Sequence, residues 1–188
     1  MRMRSEMALL SPIAVCACDT RQQACLRQWF TKANGHFIVI SQMTISIRCS
    51  RPADFPRTLD IWRSAVVATH DFLSSEDFAA IEEMVATQYL PQAALWIAVD
   101  AADVALGFMG MSEARIDALF VHAEARGGGV GRVLVEHAAT LHPVLTVDVN
   151  EQNRSGAGYY ARLGFETTGR SPVDDDGRPY SLLHLRRT

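Results

Sequence analysis

The sequence predicts an α/β fold, and three observations support this class. Apolar residues recur at helical spacing in two segments between residues 59 and 85. Short runs rich in strand-forming residues follow between residues 94 and 121, and helices then alternate with strands up to residue 185. The predicted order is β-α-α-β-β-β-α-β-α-β-β, so the helices should cover the faces of one sheet.

The bulk composition is that of a globular protein of one domain. The chain has 188 residues, of which 48% are hydrophobic and 21% are charged. A net charge of −3, with arginines scattered among acidic residues, argues against nucleic acid as a partner. The longest apolar run, residues 7–18, is too short to cross a membrane. The cysteines lack zinc-ligand spacing, so we expect free thiols, no metal and a cytoplasmic protein; they are Cys16, Cys18, Cys25 and Cys49.

Residues 1–42 stand apart from the rest of the chain because they show no clear helical or strand period. Arg2 and Arg4 before the apolar run faintly resemble a secretory signal. We favour a different interpretation, in which residues 1–42 are an N-terminal extension that is poorly ordered or belongs to a misassigned start. Residues 43–188 are then expected to form the whole domain.

The first half of this domain should contain one strand, two helices and three further strands. Ser74 or Ser75 can cap the second helix, and Pro91 ends it. A hairpin turn is expected at Asp100–Asp103. The expected elements are a strand at 44–48, a helix at 59–72, a second helix from about 75, and strands at 94–99, 104–111 and 116–121.

The second half begins with a glycine-rich turn, Arg126 to Gly131, that leads into a helix ending near Leu141. A run of aspartates ending in Gly177 is interpreted as a hairpin turn before the last strand. The remaining elements are expected as a strand at 144–149, a helix at 155–163, and strands at 165–169 and 180–185.

The glycine-rich turn is typical of an anion site. It places free backbone N–H groups at the positive end of a helix, where Arg126 and Arg132 can add charged donors. A tight connection without any ligand is the alternative. The turn lacks the Gly-Lys-Ser/Thr ending of a P-loop. A dinucleotide fingerprint fits Gly129, Gly131 and Asp148, but Leu134 occupies the position of its third glycine.

Two motifs resemble those of the GNAT superfamily of N-acetyltransferases. Residues 126–131, Arg-Gly-Gly-Gly-Val-Gly, are similar to its motif A, and Asn150–Asn153 followed by residues 158–165 is similar to its motif B. Tyr159 departs from the motif, because phenylalanine is usual there. Residues 68–73 and 174–183 are similar to the small bacterial YjaB-type acetyltransferases. The resemblance implies the GNAT fold, with a mixed, mostly antiparallel sheet of six to seven strands and about four helices.

The resemblance also implies that the protein binds acetyl-CoA. The pantetheine arm should pair with the strand that ends at Val121, and the glycine-rich turn should hold the pyrophosphate. Asn153 should bind the cofactor arm, although it could equally be a helix cap. The expected cofactor residues are Leu119, Phe120, Val121, Arg126, Gly127, Gly128, Gly129, Val130, Gly131, Arg132, Asn153 and Tyr160.

Two residues are assigned catalytic roles. The resemblance implies that the hydroxyl of Tyr160 lies near the cofactor sulfur, so Tyr160 is the expected general acid. Asp117 is the expected general base, because the resemblance implies a carboxylate on the cofactor strand. Strand alternation places Asp117 on the same face as Leu119 and Val121, and a structural hydrogen bond is its alternative role. Glu113 and His70 are alternative bases.

The sequence therefore predicts an acetyl-CoA-dependent N-acetyltransferase that acts in a ternary complex. The acceptor is expected to be a primary amine, either of a protein lysine or of a small molecule, with charged tRNA as a further option. The enzyme should be a monomer or a homodimer. The alternatives are a non-catalytic acetyl-CoA sensor and a nucleotide-dependent oxidoreductase.

Overall fold

The structure is a computed structural model that describes residues 44–188 together with Lys32, Ala33, His36 and Phe37. These four residues form two short antiparallel strands, β1 (Lys32–Ala33) and β2 (His36–Phe37). The rest of the expected extension, residues 1–42, lies outside the described residues, so its assignment stays a prediction. None of the helices in the described part of the chain combines the length and the apolar composition that a membrane span requires.

The domain contains one seven-stranded sheet with four helices, which confirms the predicted architecture. The order of the strands is β3-β4-β5-β6-β7-β9-β8, and every neighbouring pair is antiparallel except β6 and β7. The strands are β3 (Ser46–Cys49), β4 (Leu95–Val99), β5 (Ala105–Ser112), β6 (Arg115–Val121), β7 (Leu145–Asn150), β8 (Glu166–Ser171) and β9 (Leu182–Arg187). The helices are α1 (Phe55–Thr69), α2 (Ser75–Met84), α3 (Val130–Leu141) and α4 (Arg154–Arg162).

The predicted and observed strand boundaries agree to within two residues, and the larger differences occur at two helices. Helix α1 begins four residues early, at Phe55, because Pro56 suits the first turn of a helix, where no N–H donor is needed. Helix α2 starts after its predicted cap, Ser74, and continues as a π-helical turn, Val85–Tyr89. No sequence pattern indicates this turn.

Two apolar clusters lie on opposite faces of the sheet. The cluster under α1 includes Ile61, Trp62 and Phe108, all nearly inaccessible to solvent. The cluster under α3 and α4 includes Leu134 and Tyr160. The sheet is therefore covered on both sides, and each face has its own set of helices.

Strand β6 contains a bulge at Asp117. Gly110 pairs with Ala118 and the next residue of β5 pairs with Ile116, so Asp117 has no partner across the ladder. The bulge reverses the alternation: Ile116 packs in the α3–α4 cluster and Ala118 in the α1 cluster. Leu119 packs against the α3–α4 cluster. Asp117 lies on the other side, near Tyr89, which packs against the α1 cluster, and the charge of Asp117 raises the pKa of Tyr89. The prediction that Asp117 shares a face with Leu119 and Val121 is therefore wrong.

Cys49, the last residue of β3, is disulfide-bonded. The expectation of four free thiols is therefore wrong at this position. The pairing of cysteines depends on their distance in the folded chain, which their spacing in the sequence does not reveal. The other three cysteines lie outside the described residues.

Candidate active site

The two parallel strands, β6 and β7, form a fork. They pair at two positions, Arg115 with Thr146 and Ile116 with Val147, and then separate. A cleft of about 570 Å³ occupies the space between them. All of the predicted cofactor and catalytic residues line this cleft, except Gly128. The sequence motifs therefore converge on one place, although the role of each residue stays a prediction.

The glycine-rich turn closes the wide end of the fork. Gly127 and Gly129 have φ angles of 78° and 86°, a region that side chains rarely adopt. A Cβ atom added to either residue would meet nothing within 4 Å, so the space above the turn is open. Within residues 44–188, five consecutive or nearly consecutive N–H groups have no hydrogen-bond acceptor: those of Gly127, Gly129, Val130, Gly131 and Arg132. An open cradle of unpaired N–H donors at a helix N-terminus fits a diphosphate.

Arg126 ties this turn to two helices. Its guanidinium donates from Nη2 to Ser155 Oγ at 3.1 Å, and its Nη1 lies 3.5 Å from the carbonyl oxygen of Ala68 near the end of α1. The side chain therefore spans the mouth of the cleft. Its positive charge lies beside the free N–H groups, where it would pair with a bound anion.

The start of α3 lies against Tyr159. A Cβ atom on Gly131 would lie 2.7 Å from the Tyr159 hydroxyl, so a larger residue here would have to displace the end of that side chain. That hydroxyl is buried and has no hydrogen-bond partner in the described part of the chain. Burial raises the pKa of Tyr159 to about 12, which keeps the phenol protonated and able to donate.

Asn153 caps helix α4. Its Oδ1 accepts a hydrogen bond from the N–H of Gly156 at 2.8 Å, which is the capping role that the sequence leaves open. Its side chain also lines the cleft. The cap does not use the Nδ2 donor, so the predicted bond to a cofactor arm stays compatible with it.

Tyr160 lies on α4, at the side of the cleft formed by the α3–α4 cluster. Its ring makes edge contacts with Tyr159 and Phe165, with centroid distances of 5.2 Å in both pairs. Burial raises the pKa of Tyr160, so the phenol is protonated at neutral pH. A buried, protonated hydroxyl in the cleft wall has the protonation state that a general acid needs.

Two carboxylates stand where the fork opens, one on each strand. Asp117 and Asp148 follow directly after the last paired residues, and both line the cleft. Burial raises the pKa of Asp117, and the charge of Asp148 adds to this effect. The hydroxyl of Ser112 donates to Asp117 at 2.5 Å, and Arg115 lies 3.6 Å from the same carboxylate.

Arg115 and His184 hold the second carboxylate. Arg115 Nη2 lies 3.1 Å from Asp148 Oδ2, and His184 Nδ1 lies 2.7 Å from Asp148 Oδ1. Sequence reasoning considers Asp148 only for a dinucleotide site and overlooks it here. Its position between Val147 and Val149 of a predicted strand, shortly before the motif B segment, is the signal that could have found it.

The two alternative bases lie in different places. Glu113 occupies the hairpin between β5 and β6 with a φ of 52°, and it is not among the residues that line the cleft. His70 follows α1 and lines the cleft from the α1 side. Burial lowers the pKa of His70 to about 4, so its imidazole is neutral at neutral pH.

The acidic segment forms the predicted turn. Asp174 Oδ1 accepts hydrogen bonds from the N–H groups of Asp176 and Arg178, and Gly177 has a φ of 79°. Asp175 Oδ2 lies 3.4 Å from Arg115, which connects the turn to the carboxylates of the fork.

Comparison with known proteins gives a consistent result. Residues 91–167 match the model of the acetyltransferase (GNAT) domain. The chain is 50% identical to the peptidyl-lysine N-acetyltransferase YjaB of Salmonella typhimurium over 143 residues, which cover 76% of this chain and 98% of that protein. It is 51% identical to YjaB of Escherichia coli over 143 residues, covering 76% of this chain and 97% of that one.

The fold agrees with a solved relative. The solution structure of apo YjaB from Escherichia coli superimposes with a TM-score of 0.75 at 50% identity, covering 78% of this chain and 99% of that one. Half of the residues are thus shared over nearly the whole length of the relatives, and the fork and glycine-rich turn are in place. The chain belongs to the GNAT acetyltransferase family and is an acetyl-CoA-dependent N-acetyltransferase.

Proposed function

We propose that this N-acetyltransferase acetylates the ε-amine of lysine residues in other proteins, by direct attack of the amine within a ternary complex. The observation that carries the proposal is the fork, which has an anion cradle at its wide end and carboxylates at its apex. Asp117 and Val121 are four residues apart, about 13 Å along a strand that rises roughly 3.3 Å per residue. A cofactor held by its diphosphate would reach the apex through an extended arm.

The bound cofactor supplies an acetyl group activated as a thioester. The N–H groups of the glycine-rich turn and Arg126 would hold its diphosphate, and the β6 backbone at Leu119–Val121 would pair with its arm. The reaction takes place at the apex, where the side chains of the two faces meet. Tyr160 Oη donates a proton to the departing sulfur, and a backbone N–H of Leu119 or Phe120 stabilises negative charge on the acetyl oxygen.

A lysine acceptor suits the acidic apex. The free lysine side chain has a pKa of about 10.4 and arrives as a cation, which the Asp117 and Asp148 carboxylates attract. Asp117 then takes a proton, because burial raises its pKa toward the working range of a base. The YjaB relatives are named peptidyl-lysine N-acetyltransferases, which supports a protein acceptor over a small amine.

The experiment is acceptor-dependent release of CoA thiol. The protein is incubated with acetyl-CoA and a lysine peptide library, and products are identified by mass spectrometry. We expect acetyl groups on lysine ε-amines and thiol release that rises with peptide concentration. Matched peptides with Nε-trimethyl-lysine carry the same charge but no attacking lone pair, and they should release no thiol.

Two outcomes would contradict the lysine proposal. Faster turnover with small amines than with any peptide would assign a small-molecule acceptor. Tight binding of acetyl-CoA without acceptor-dependent thiol release would indicate a sensor.

We place the enzyme in the bacterial cytoplasm, where acetyl-CoA is made, and we propose that it is a monomer or a homodimer. Sedimentation of the purified protein with and without CoA decides the oligomeric state.

A further inference from the structure

His70 is held in one tautomer by its neighbour Thr69. Thr69 Oγ1 lies 2.7 Å from the carbonyl oxygen of Ala65 and 2.7 Å from His70 Nδ1. A carbonyl oxygen can only accept, so the single hydroxyl hydrogen of Thr69 goes to Ala65. Oγ1 must then accept from His70, and Nδ1 carries the hydrogen. The other ring nitrogen, Nε2, is left with a free lone pair.

Aromatic neighbours hold the imidazole ring of His70 in one orientation. It packs on Phe72 at a centroid distance of 5.3 Å, and Phe72 packs on Tyr180 at 5.7 Å. Nothing in residues 44–188 is hydrogen-bonded to Nε2. His70 lines the cleft from the α1 side, whereas Tyr160 lines it from the α4 side. The two groups therefore line the same cleft from opposite sides.

The chemistry of the proposed reaction requires two proton acceptors. A lysine ammonium loses one proton to become a nucleophile and a second one as its nitrogen bonds to the acyl carbon. Asp117 accounts for the first. We infer that His70 Nε2 receives the second proton, and that Thr69 is the positioning residue that keeps Nε2 free to do so. This inference rests on the proposed amine acetylation but not on lysine as the acceptor.

The step balances. The nitrogen forms the C–N bond and gives its remaining excess proton to Nε2, while the C–S bond breaks and Tyr160 donates its proton to sulfur. Solvent then returns one proton to Tyr160 and removes those on His70 and Asp117, so one net proton is released per turnover.

Of the two bases, Asp117 is the better suited to the first proton and His70 to the second. Burial raises the pKa of Asp117 and lowers that of His70 to about 4, and the first proton comes from a lysine ammonium whose pKa is about 10.4. A nitrogen bonded to the acyl carbon is a far stronger acid, so a weak base suffices. Asp71 and the negative end of α1 stabilise the imidazolium that forms, and the cation at the same end of α1 is Arg126, whose Nη1 lies 3.5 Å from the carbonyl oxygen of Ala68.

The test uses an amine that the wild-type enzyme acetylates, whichever class it belongs to. His70→Ala should lower kcat by about 100-fold, within the usual range for loss of an acid–base group, and leave acetyl-CoA affinity within twofold. Added imidazole should restore part of kcat, because it supplies the missing base, whereas a packing role would not respond to imidazole. Wild-type kcat in the variant, or a deficit that imidazole does not reduce, would overturn the inference.

A second pair of variants addresses the case in which His70→Ala does not fold. Thr69→Val removes the acceptor of Nδ1–H at nearly constant volume, so the ring can take the other tautomer, and kcat should fall about tenfold. Thr69→Ser keeps the hydroxyl and should keep kcat. Equal kcat for Val and Ser at this position would also overturn the inference. If the wild-type enzyme prefers small amines, the lysine proposal fails while the role of His70 is still tested.

Discussion

At the scale of residues, the adjacent tyrosines of α4 illustrate how position determines chemistry. Tyr160 and Tyr159 both have raised pKa values because both are buried. Tyr159 lies against Gly131, and its hydroxyl has no partner in the described chain. Motif B alone assigns Tyr160 as the acid, and the place of this residue in the cleft is compatible with that role.

Replacing Tyr160 tests its role as general acid. Tyr160→Phe should lower kcat by about 100-fold or more, because the departing sulfur loses its proton donor, while the ring keeps its packing on Phe165. Acetyl-CoA affinity, measured by calorimetry, should stay within twofold. Equal kcat in the variant and the wild type would remove the assignment.

Asp117 shows the limit of residue-level prediction. The sequence predicts a carboxylate at the site, but it does not predict the face of the strand on which that carboxylate lies. Alternation assumes a regular ladder, and the bulge at Asp117 breaks that regularity through a pairing with β5 that local sequence does not encode. The sequence does not predict the role of Asp148 for a related reason, since its proximity to Asp117 depends on the pairing of β6 with β7 in the sheet.

At the scale of elements, the glycines of the turn before α3 provide both a left-handed backbone conformation and open space for a ligand. Gly129 has a φ of 86° and open space where a side chain would lie. The sequence predicts this turn and the end of α3 at Leu141 correctly, because glycine content and helical periodicity are local signals. It does not predict the π-helical turn after α2, where Tyr89 packs against Gly110.

Gly129→Ala tests the anion cradle. The left-handed conformation should cost about 1 kcal/mol of stability in the free protein, because alanine adopts it reluctantly. The added methyl would enter the space assigned to the diphosphate, so CoA affinity should fall by tenfold or more in calorimetry.

A matched control exists in the acidic turn. Gly177 has a φ of 79° and the same open surroundings, but it does not line the cleft. Gly177→Ala should therefore destabilise the protein to a similar extent and leave CoA affinity unchanged. Equal CoA affinities for the two alanine variants would contradict the assignment of the cradle.

At the scale of the whole molecule, two apolar clusters stabilise the sheet from both faces, and α1 carries one of them. The seven-stranded architecture is predictable because the order of elements and the motif resemblance agree. The strand order β7-β9-β8 is not predictable from local sequence, since β7 pairs with β9 across the intervening α4 and β8.

The stability of the molecule should depend on acidity through His70. Its pKa is about 4 in the folded protein and about 6.5 when unfolded, so the unfolded chain binds more protons between these values. The free energy of unfolding should therefore fall as the pH drops from 6.5 to 4. Denaturant titrations of the wild type and His70→Asn should show a smaller fall in the variant.

Part of the acid sensitivity should persist in that variant. Burial also lowers the pKa of His137, which contributes in the same direction. An identical pH dependence in the two proteins would mean that His70 is solvated in the folded state, contrary to its burial at the end of α1.

The backbone hydrogen-bond ladder of the sheet is almost interrupted at the fork between β6 and β7. Strands β3 to β6 form one block and β7, β9 and β8 form another, and two residue pairs of backbone ladder join them. A pantetheine arm that hydrogen-bonds along the parted edges would act as an eighth, non-peptide strand. Cofactor loading would then complete the sheet, so the acceptor would meet a stiffer protein than the one that first captured acetyl-CoA.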